Sequence, residues 1–354
     1  MMADVIWWLL TAVYAPDYEK WMSWCPKIIS HPLTYYAKTD VHYPPLGSLL
    51  PALVWYLGHG LLGLNPLDWR FRLLWKLPVW IGTLACVYCA RRVGMGRTGQ
   101  LVVALSTAYP CAFWQLDPIP VSMALAAIIM RERWLGGTLA ALAFWTKPTA
   151  GLLALPHLRR ESLIAFVLVT AVVLVPYLLG NGWAFLQDVV LFQMGRPPQN
   201  CSIWTLVTPP TELPVALLAA AMLLPLVAPG EPERRSCAVG AALLAFSKVV
   251  NPNYWAVSCP AACLASERLG LLLLSTGALF TVAAGLHVSA SHGYFNAEDG
   301  RFYRLEDLFL PPPPTPAVHV PPALARALLD GAVVYNFLVA AWVYVRCVAR
   351  GSMI

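Results

Sequence analysis

Charge is scarce in this chain. Of 354 residues only 24 are Lys or Arg and 18 are Asp or Glu, 12% together, against 59% hydrophobic residues and a mean hydropathy of +0.62. A soluble globule carries about twice that charged fraction and could not hide this much apolar surface, so composition excludes one. Equally absent are a Gly-rich phosphate loop, a His/Cys cluster with metal-ligand spacing, a Ser/His/Asp arrangement and any nucleic-acid motif, which argues against soluble nucleotide-dependent chemistry. Long unbroken apolar runs are also few. A bilayer-spanning helix needs about 20 apolar residues, whereas several runs here have about 12 to 18 and are interrupted by some of the 31 Pro. Short, proline-broken helices are tolerated where the freed backbone is buried or lines a cavity, so the pattern predicts a cavity at membrane depth. The nine Cys mostly lie inside apolar runs. The pair Cys86 and Cys89 has redox-motif spacing but falls mid-helix, where small packed residues are expected.

What remains is an all-α integral membrane protein, a single polytopic domain over residues 1–354. Apolar runs predict helices over 5–14, 73–90, 101–116, 118–130, 135–146, 148–156, 162–179, 213–227, 237–249, 252–265, 269–287 and 328–345, roughly ten to twelve passes with some half-spans. The first run lacks a basic flank and a small-residue cleavage site, as expected of a retained first helix. If 44–64 lies in the interface instead of crossing, then Arg91, Arg92, Arg97, Arg131, Arg133, Arg159, Arg160, Arg234, Arg235, Arg268, Arg346 and Arg350 share one face. The positive-inside rule makes that face cytoplasmic, with both termini. Three loops, 16–72, 180–210 and 288–327, then face the lumen or cell exterior, in an endoplasmic reticulum or plasma membrane.

The outer segments hold the ionisable residues, and such groups at membrane depth are functional candidates. The stretch 16–50 gathers Asp17, Glu19, Asp40 and His42 among Tyr18, Tyr35, Tyr36 and Tyr43. A carboxylate can take a hydroxyl proton and flat rings suit a sugar, although the same rings suit an interfacial aromatic belt. Beyond it lie Trp114, Gln115 and Asp117, then Lys147, Arg196, Asn200, Lys248, Asn251 and Tyr254. Lys147 and Lys248 sit beside helix-breaking residues, as phosphate ligands or as snorkelling cations. Asn200-Cys201-Ser202 fits a glycosylation acceptor.

Five segments, YYAKTDVHYPPLGSLL, WQLDPIPVSM, LAFWTKPTAGLLALP, GWAFLQDVVLFQMGRPPQNCSIW and FSKVVNPNYW, resemble in order the conserved blocks of a GT-C superfamily mannosyltransferase, nearest to the catalytic subunit of GPI mannosyltransferase I. The resemblance spans 16–255. It implies a GT-C-type fold with a catalytic first outer loop. It also implies inverting transfer of a mannosyl or similar residue from a polyprenyl- or dolichyl-phosphate sugar to a lipid or glycolipid acceptor, with a small accessory membrane subunit as possible partner. Asp17 would be the base. Lys147, Lys248 and Arg196, with Arg70 and Arg72, would meet the donor phosphate. Asp117, Tyr18, Glu19, Asp40, His42, Tyr43, Gln115, Asn200, Asn251 and Tyr254 would contact sugar or acceptor. The alternatives are a transporter or flippase for a lipid-linked sugar, whose site would also lie at broken helices, and a non-catalytic scaffold.

The family's paired-Asp motif is broken here by Ala15, leaving Asp17 alone, and no cofactor or divalent metal is expected. EDTA should therefore leave the transfer rate nearly unchanged. A strict Mn²⁺ or Mg²⁺ requirement in the same assay would mean that Asp17 shares an ion with another carboxylate.

Overall fold

The computed structural model describes residues 2–112, 115–207, 209–210, 212–296, 301–304, 307–311 and 320–349. Among them the protein is almost entirely helical. In chain order the helices are α1 (Met2–Thr11), α2 (Ala15–Ser30), α3 (Pro45–Trp55), α4 (Trp69–Arg92), α5 (Arg97–Ala112), α6 (Pro118–Ile129), α7 (Trp134–Thr146), α8 (Pro148–Ala154), α9 (Arg160–Leu186) and α10 (Phe192–Gly195). They continue as α11 (Glu212–Val227), α12 (Pro232–Phe246), α13 (Trp255–Ala265), α14 (Glu267–Ala290) and α15 (Pro322–Ala349). Among the described residues there are three two-stranded ladders, two of which join distant segments. The strands are β1 (Val13–Tyr14), β2 (Gln199–Asn200), β3 (Val249–Val250), β4 (Gly293–Asn296), β5 (Arg301–Arg304) and β6 (Phe309–Leu310). β1 pairs antiparallel with β6, β2 pairs parallel with β3, and β4 pairs antiparallel with β5.

Helix length organises the molecule. Four described stretches are long and apolar enough to cross a membrane: α4, Arg160–Gly195, α14 and α15. The others that pack among them are shorter, and they stop at one level. Gly82, midway along α4, lies against the start of α6, where an added Cβ would sit 3.0 Å from the Ile119 nitrogen. Thr276, midway along α14, accepts from the Trp255 indole at the start of α13 at 2.9 Å, and Asn336, midway along α15, donates to the Leu244 carbonyl near the end of α12 at 3.1 Å. Each long helix therefore continues about 20 Å past the ends of α6, α12 and α13, at 1.5 Å per residue. Short helices form a floor and long helices form walls.

The opposite end carries the arginines. Arg91 and Arg92 close α4, Arg97 opens α5, Arg131 and Arg133 join α6 to α7, Arg159 precedes and Arg160 opens α9, Arg234 and Arg235 lie in the first turn of α12, Arg268 lies in that of α14 and Arg346 in the last turn of α15. Arg350 lies outside the described residues.

Three expected boundaries move. The segment 16–72 is not an open loop but α2, α3 and a wide π-type turn over Tyr56–Leu61, because its apolar residues recur at helical spacing and bury against one another. α3 starts beside Thr146, where Gly47 leaves room for that residue's carbonyl oxygen, and the following turn packs Gly58 on Phe71 and Leu74 of the α4 wall. It thus stays on the floor side and does not cross. α9 runs through Gly180, turning at Asn181 (φ −162°, ψ 76°), whose Oδ1 accepts from the Ala184 amide and restarts the helix. The expected loop 180–210 is therefore irregular only from Arg196. The expected loop 288–327 contains the end of α14, β4 to β6 and the start of α15, with its proline run over 312–319 outside the described residues.

Two basic residues of α4 hold α1. Lys76, fully buried, donates to the carbonyls of Leu9 and Ala12, the latter at 2.9 Å, and Arg72 Nε donates to that of Thr11 at 3.0 Å. These carbonyls end a helix and lack intrahelical partners, so cations satisfy them. At the arginine end α7 and α9 approach most closely at Gly137, where a Cβ would stand 1.8 Å from the Ser162 carbonyl oxygen.

Gly137→Ala should push these helices apart and cost about 1–3 kcal/mol. Thermal unfolding in detergent, with Gly285→Ala as the comparison because nothing lies within 4 Å of its Cβ position, should show a lowered midpoint for the first substitution only.

Candidate active site

Three helix breaks on the floor share one sequence device, a polar residue followed by proline: Asp117-Pro118, Lys147-Pro148 and Asn251-Pro252. A residue before proline is disfavoured in the helical region, and proline itself suits the first turn of the next helix. Lys147 accordingly has extended backbone (φ −153°, ψ 110°) between α7 and α8. Asp17 arrives differently. It lies in the first turn of α2, where the helix dipole favours an acid, and the backbone just before it is held by the β1–β6 ladder and by the Ala15 amide donating to the Leu308 carbonyl at 3.0 Å.

The side chains at these breaks form one continuous chain of hydrogen bonds. Gln115 Nε2 donates to Asp17 Oδ2 at 2.9 Å. Asn253 Nδ2 donates to Gln115 Oε1 at 3.3 Å and to Asp117 Oδ2 at 2.7 Å. Asp117 Oδ1 takes the Lys147 ammonium, which also lies over the Tyr254 ring, 4.9 Å from its centroid. Asp117 is almost fully buried and the Lys147 side chain is 20% exposed. A buried charge of either sign alone would be costly, so each is the condition for the other.

A second cluster hangs from the same segment. The β2–β3 pairing brings Gln199 and Asn200 against Val249 and Val250, next to Lys248, whose carbonyl accepts from the Gln199 amide at 2.8 Å. Lys248 Nζ donates to the Met194 carbonyl at 2.5 Å. Burial lowers its pKa below the ordinary lysine value, and the nearby Arg196 charge lowers it further while Glu212 opposes this. Arg196 reaches Gln193 and Gln199 at 3.4 and 3.5 Å and packs over Phe192 at 5.4 Å. On the other face of this turn the His42 ring stacks on Phe192. The Asn200 amide donates to Asn251 Oδ1, and Asn200 itself has φ 57°, so the glycosylation-like Asn is committed to the fold.

The sequence-predicted residues thus divide. Asp17, Gln115, Asp117, Lys147 and Tyr254 belong to the first cluster; Lys248, Arg196, Asn200, Asn251 and His42 belong to the second. Several others are drawn elsewhere. Tyr18 is buried, its hydroxyl donating to the Pro66 carbonyl at 2.6 Å and its ring meeting Trp75 edge-on, so it packs the core instead of facing a ligand. Tyr35 and Tyr36 are buried against Tyr177 and Phe185, and Tyr43 packs on Trp21. Trp114 lies outside the described residues. Asp40 accepts from the Trp24 indole at 2.6 Å, and Glu19 is exposed. Arg72 is occupied by the carbonyls of Thr11 and Leu67 and Arg70 is exposed over Trp69, neither drawn to Lys248. Each oxygen of Asp117 has a partner, Lys147 on Oδ1 and Asn253 on Oδ2, so Asp117 braces the site. Asn253 was not expected; its only sequence signal is its place between Asn251-Pro252 and Tyr254.

No protein family model matches the chain, and no curated protein matches it. Two solved structures of ArnT from Cupriavidus metallidurans are similar, one bound to undecaprenyl phosphate and one in the apo state. Their TM-scores are 0.51 and 0.50 and their identities 14% and 18%, each covering 99% of this chain and 76% of the ArnT chain. At such identities the likeness is one of fold, and with the helices described above it establishes the all-α polytopic membrane architecture expected from the sequence.

Lys147→Met should strand the Asp117 charge and destabilise the protein by about 3–5 kcal/mol. Pairing it with Asp117→Asn should recover much of that loss, whereas Lys248→Met, with no ion pair among the described residues, should unfold near the parent temperature. Thermal midpoints of the four proteins in one detergent decide the matter.

Proposed function

We propose that the protein transfers a glycosyl residue from a polyprenyl-phosphate sugar to a lipid-linked acceptor, with inversion at the anomeric carbon. The observation that carries this reading is that the segment 248–254 joins two clusters: Lys248 lies with Arg196 beside the β2–β3 ladder, and Asn253 connects through Gln115 to the carboxylate of Asp17. ArnT, the similar fold, holds a polyprenyl phosphate in one of its structures. An apolar pocket of about 670 Å³ between α11, α12 and α15, lined by Leu217, Leu224, Phe246 and Tyr344, would accommodate a hydrocarbon chain.

In this mechanism Asp17 accepts the proton of the acceptor hydroxyl as its oxygen attacks the anomeric carbon. The bond from that carbon to the phosphate oxygen breaks, and the departing polyprenyl phosphate gains charge. Lys248 and Arg196 meet that charge, and a preorganised cation is commonly the largest catalytic term. Phosphate beside Lys248 also reverses what burial and Arg196 do to it, because an adjacent anion favours the ammonium form. Lys147 contributes less than the sequence suggested, since Asp117 already neutralises it. A mannosyl donor on dolichyl phosphate, a lumenal or extracellular floor with cytoplasmic arginines, independence from divalent metal and an accessory subunit are the finer parts of this proposal, and they rest on the resemblance to GPI mannosyltransferase I and on the arginine face.

The rival reading is a flippase for the same lipid. Reconstituted protein given radiolabelled polyprenyl-phosphate mannose and lipid acceptors should produce a labelled glycolipid; movement of label between leaflets without a new bond would replace transfer by transport. Asp17→Asn, which keeps shape but cannot accept the proton, should reduce turnover about 10²- to 10⁴-fold with donor binding little changed. Glu19→Gln and Asp40→Asn should stay near the parent rate, since one side chain is exposed and the other is held by Trp24. Collapse in either of these with normal Asp17→Asn turnover would move the base.

A further inference from the structure

Asn253 is the only member of the polar chain that donates in both directions. Its Nδ2 gives one hydrogen to Asp117 Oδ2 at 2.7 Å and the other to Gln115 Oε1 at 3.3 Å, and the residue is 5% exposed. The two acceptors determine which way its amide faces, because turning it over would set Oδ1 against a carboxylate and a carbonyl oxygen. That orientation then passes to Gln115. With Oε1 taken by Asn253, Gln115 must present Nε2 to Asp17, as it does at 2.9 Å. A reversed Gln115 would place a carbonyl oxygen against the Asp17 carboxylate and drive it away. On the other side, a second donor on Asp117 holds its Oδ2 while Oδ1 faces Lys147. The hydrogen bonds therefore run outward from one buried amide to the carboxylate at one end and to the ion pair at the other.

We infer that Asn253 is a positioning residue that aligns Asp17 through Gln115 and couples its orientation to the Asp117–Lys147 pair. The inference rests on the glycosyl-transfer reading of Asp17. It carries a consequence for substrate engagement. A substrate that disturbs the Asp117–Lys147 pair acts on Asn253, and through Gln115 it acts on Asp17.

The test is a double-substitution cycle on purified full-length protein with Asn253→Leu, which keeps the branched shape and removes both donors, and Gln115→Ala. Asn253→Leu should lower kcat about 10- to 100-fold while the donor KM and the binding of sugar-free polyprenyl phosphate change less than about threefold. These losses correspond to about 1.4–2.8 kcal/mol. The double variant should be hardly slower than either single, since Asn253 acts through Gln115, and Asn253→Gln should recover part of the rate. Thermal midpoints of the same four proteins, measured without substrate, should also be non-additive, a readout that does not need activity. Independent losses in both measurements, or unchanged kcat in Asn253→Leu, would overturn the inference while leaving glycosyl transfer intact. An inactive parent protein with non-additive midpoints would retain the coupling and sink the transfer reading instead.

Discussion

A helix that stops inside hydrocarbon leaves backbone and side-chain polar groups that nothing in the lipid can satisfy. Most of this structure follows from how that constraint is met. The breaks at Asp117, Lys147 and Asn251 fall on one floor, so the groups freed by one are the partners of the next. Asp117 and Lys147 neutralise each other, Asn253 joins Asp117 to Gln115, and Gln115 reaches Asp17. The long helices α4, α14 and α15 rise past the floor because nothing interrupts them at that depth. Lys248 and Arg196 lie outside that chain of hydrogen bonds, gathered instead beside the β2–β3 ladder.

Much of this was legible from composition and spacing. Scarcity of charge required a membrane protein, short proline-broken runs required helices that end inside it, and Lys147 and Lys248 beside helix-breaking residues marked two places where the chain opens. Asp17, Gln115, Asp117, Lys147 and Lys248 stood out because ionisable or amide groups amid apolar helices need a reason to be there. The arginines collected at one end of the helices, which follows from counting passes once α3 is kept on the floor side.

What sequence could not supply was pairing. Nothing local says that Asp117 would be consumed by Lys147, so a residue that looked like a ligand is a brace. Tyr18, Tyr35 and Tyr36 have the composition of a sugar platform, yet tertiary contacts bury them, as aromatic residues near a helix start often are. Asn253 escaped notice for the converse reason: an amide in a proline-rich turn has no distinguishing pattern until the fold brings Gln115 and Asp117 to it. Within 16–72 α2 was hidden because its apolar residues are interspersed with charged and polar ones and give no apolar run, whereas α3 falls inside 44–64, the stretch expected to lie in the interface.

The ladder between β1 and β6 sets a schedule for the molecule. Val13 and Tyr14 are synthesised long before their partners Leu310 and Phe309, and before Leu308, which receives the Ala15 amide. Domains and helices form in order as a chain emerges, so α2 inserts long before the strand that fixes its start has been made. A nascent chain that ends ahead of Leu308 contains Asp17, Gln115, Asn253, Asp117 and Lys147 but lacks the backbone anchor that aims the first of them. Alignment of the start of α2 is thereby tied to synthesis of the segment around Leu308.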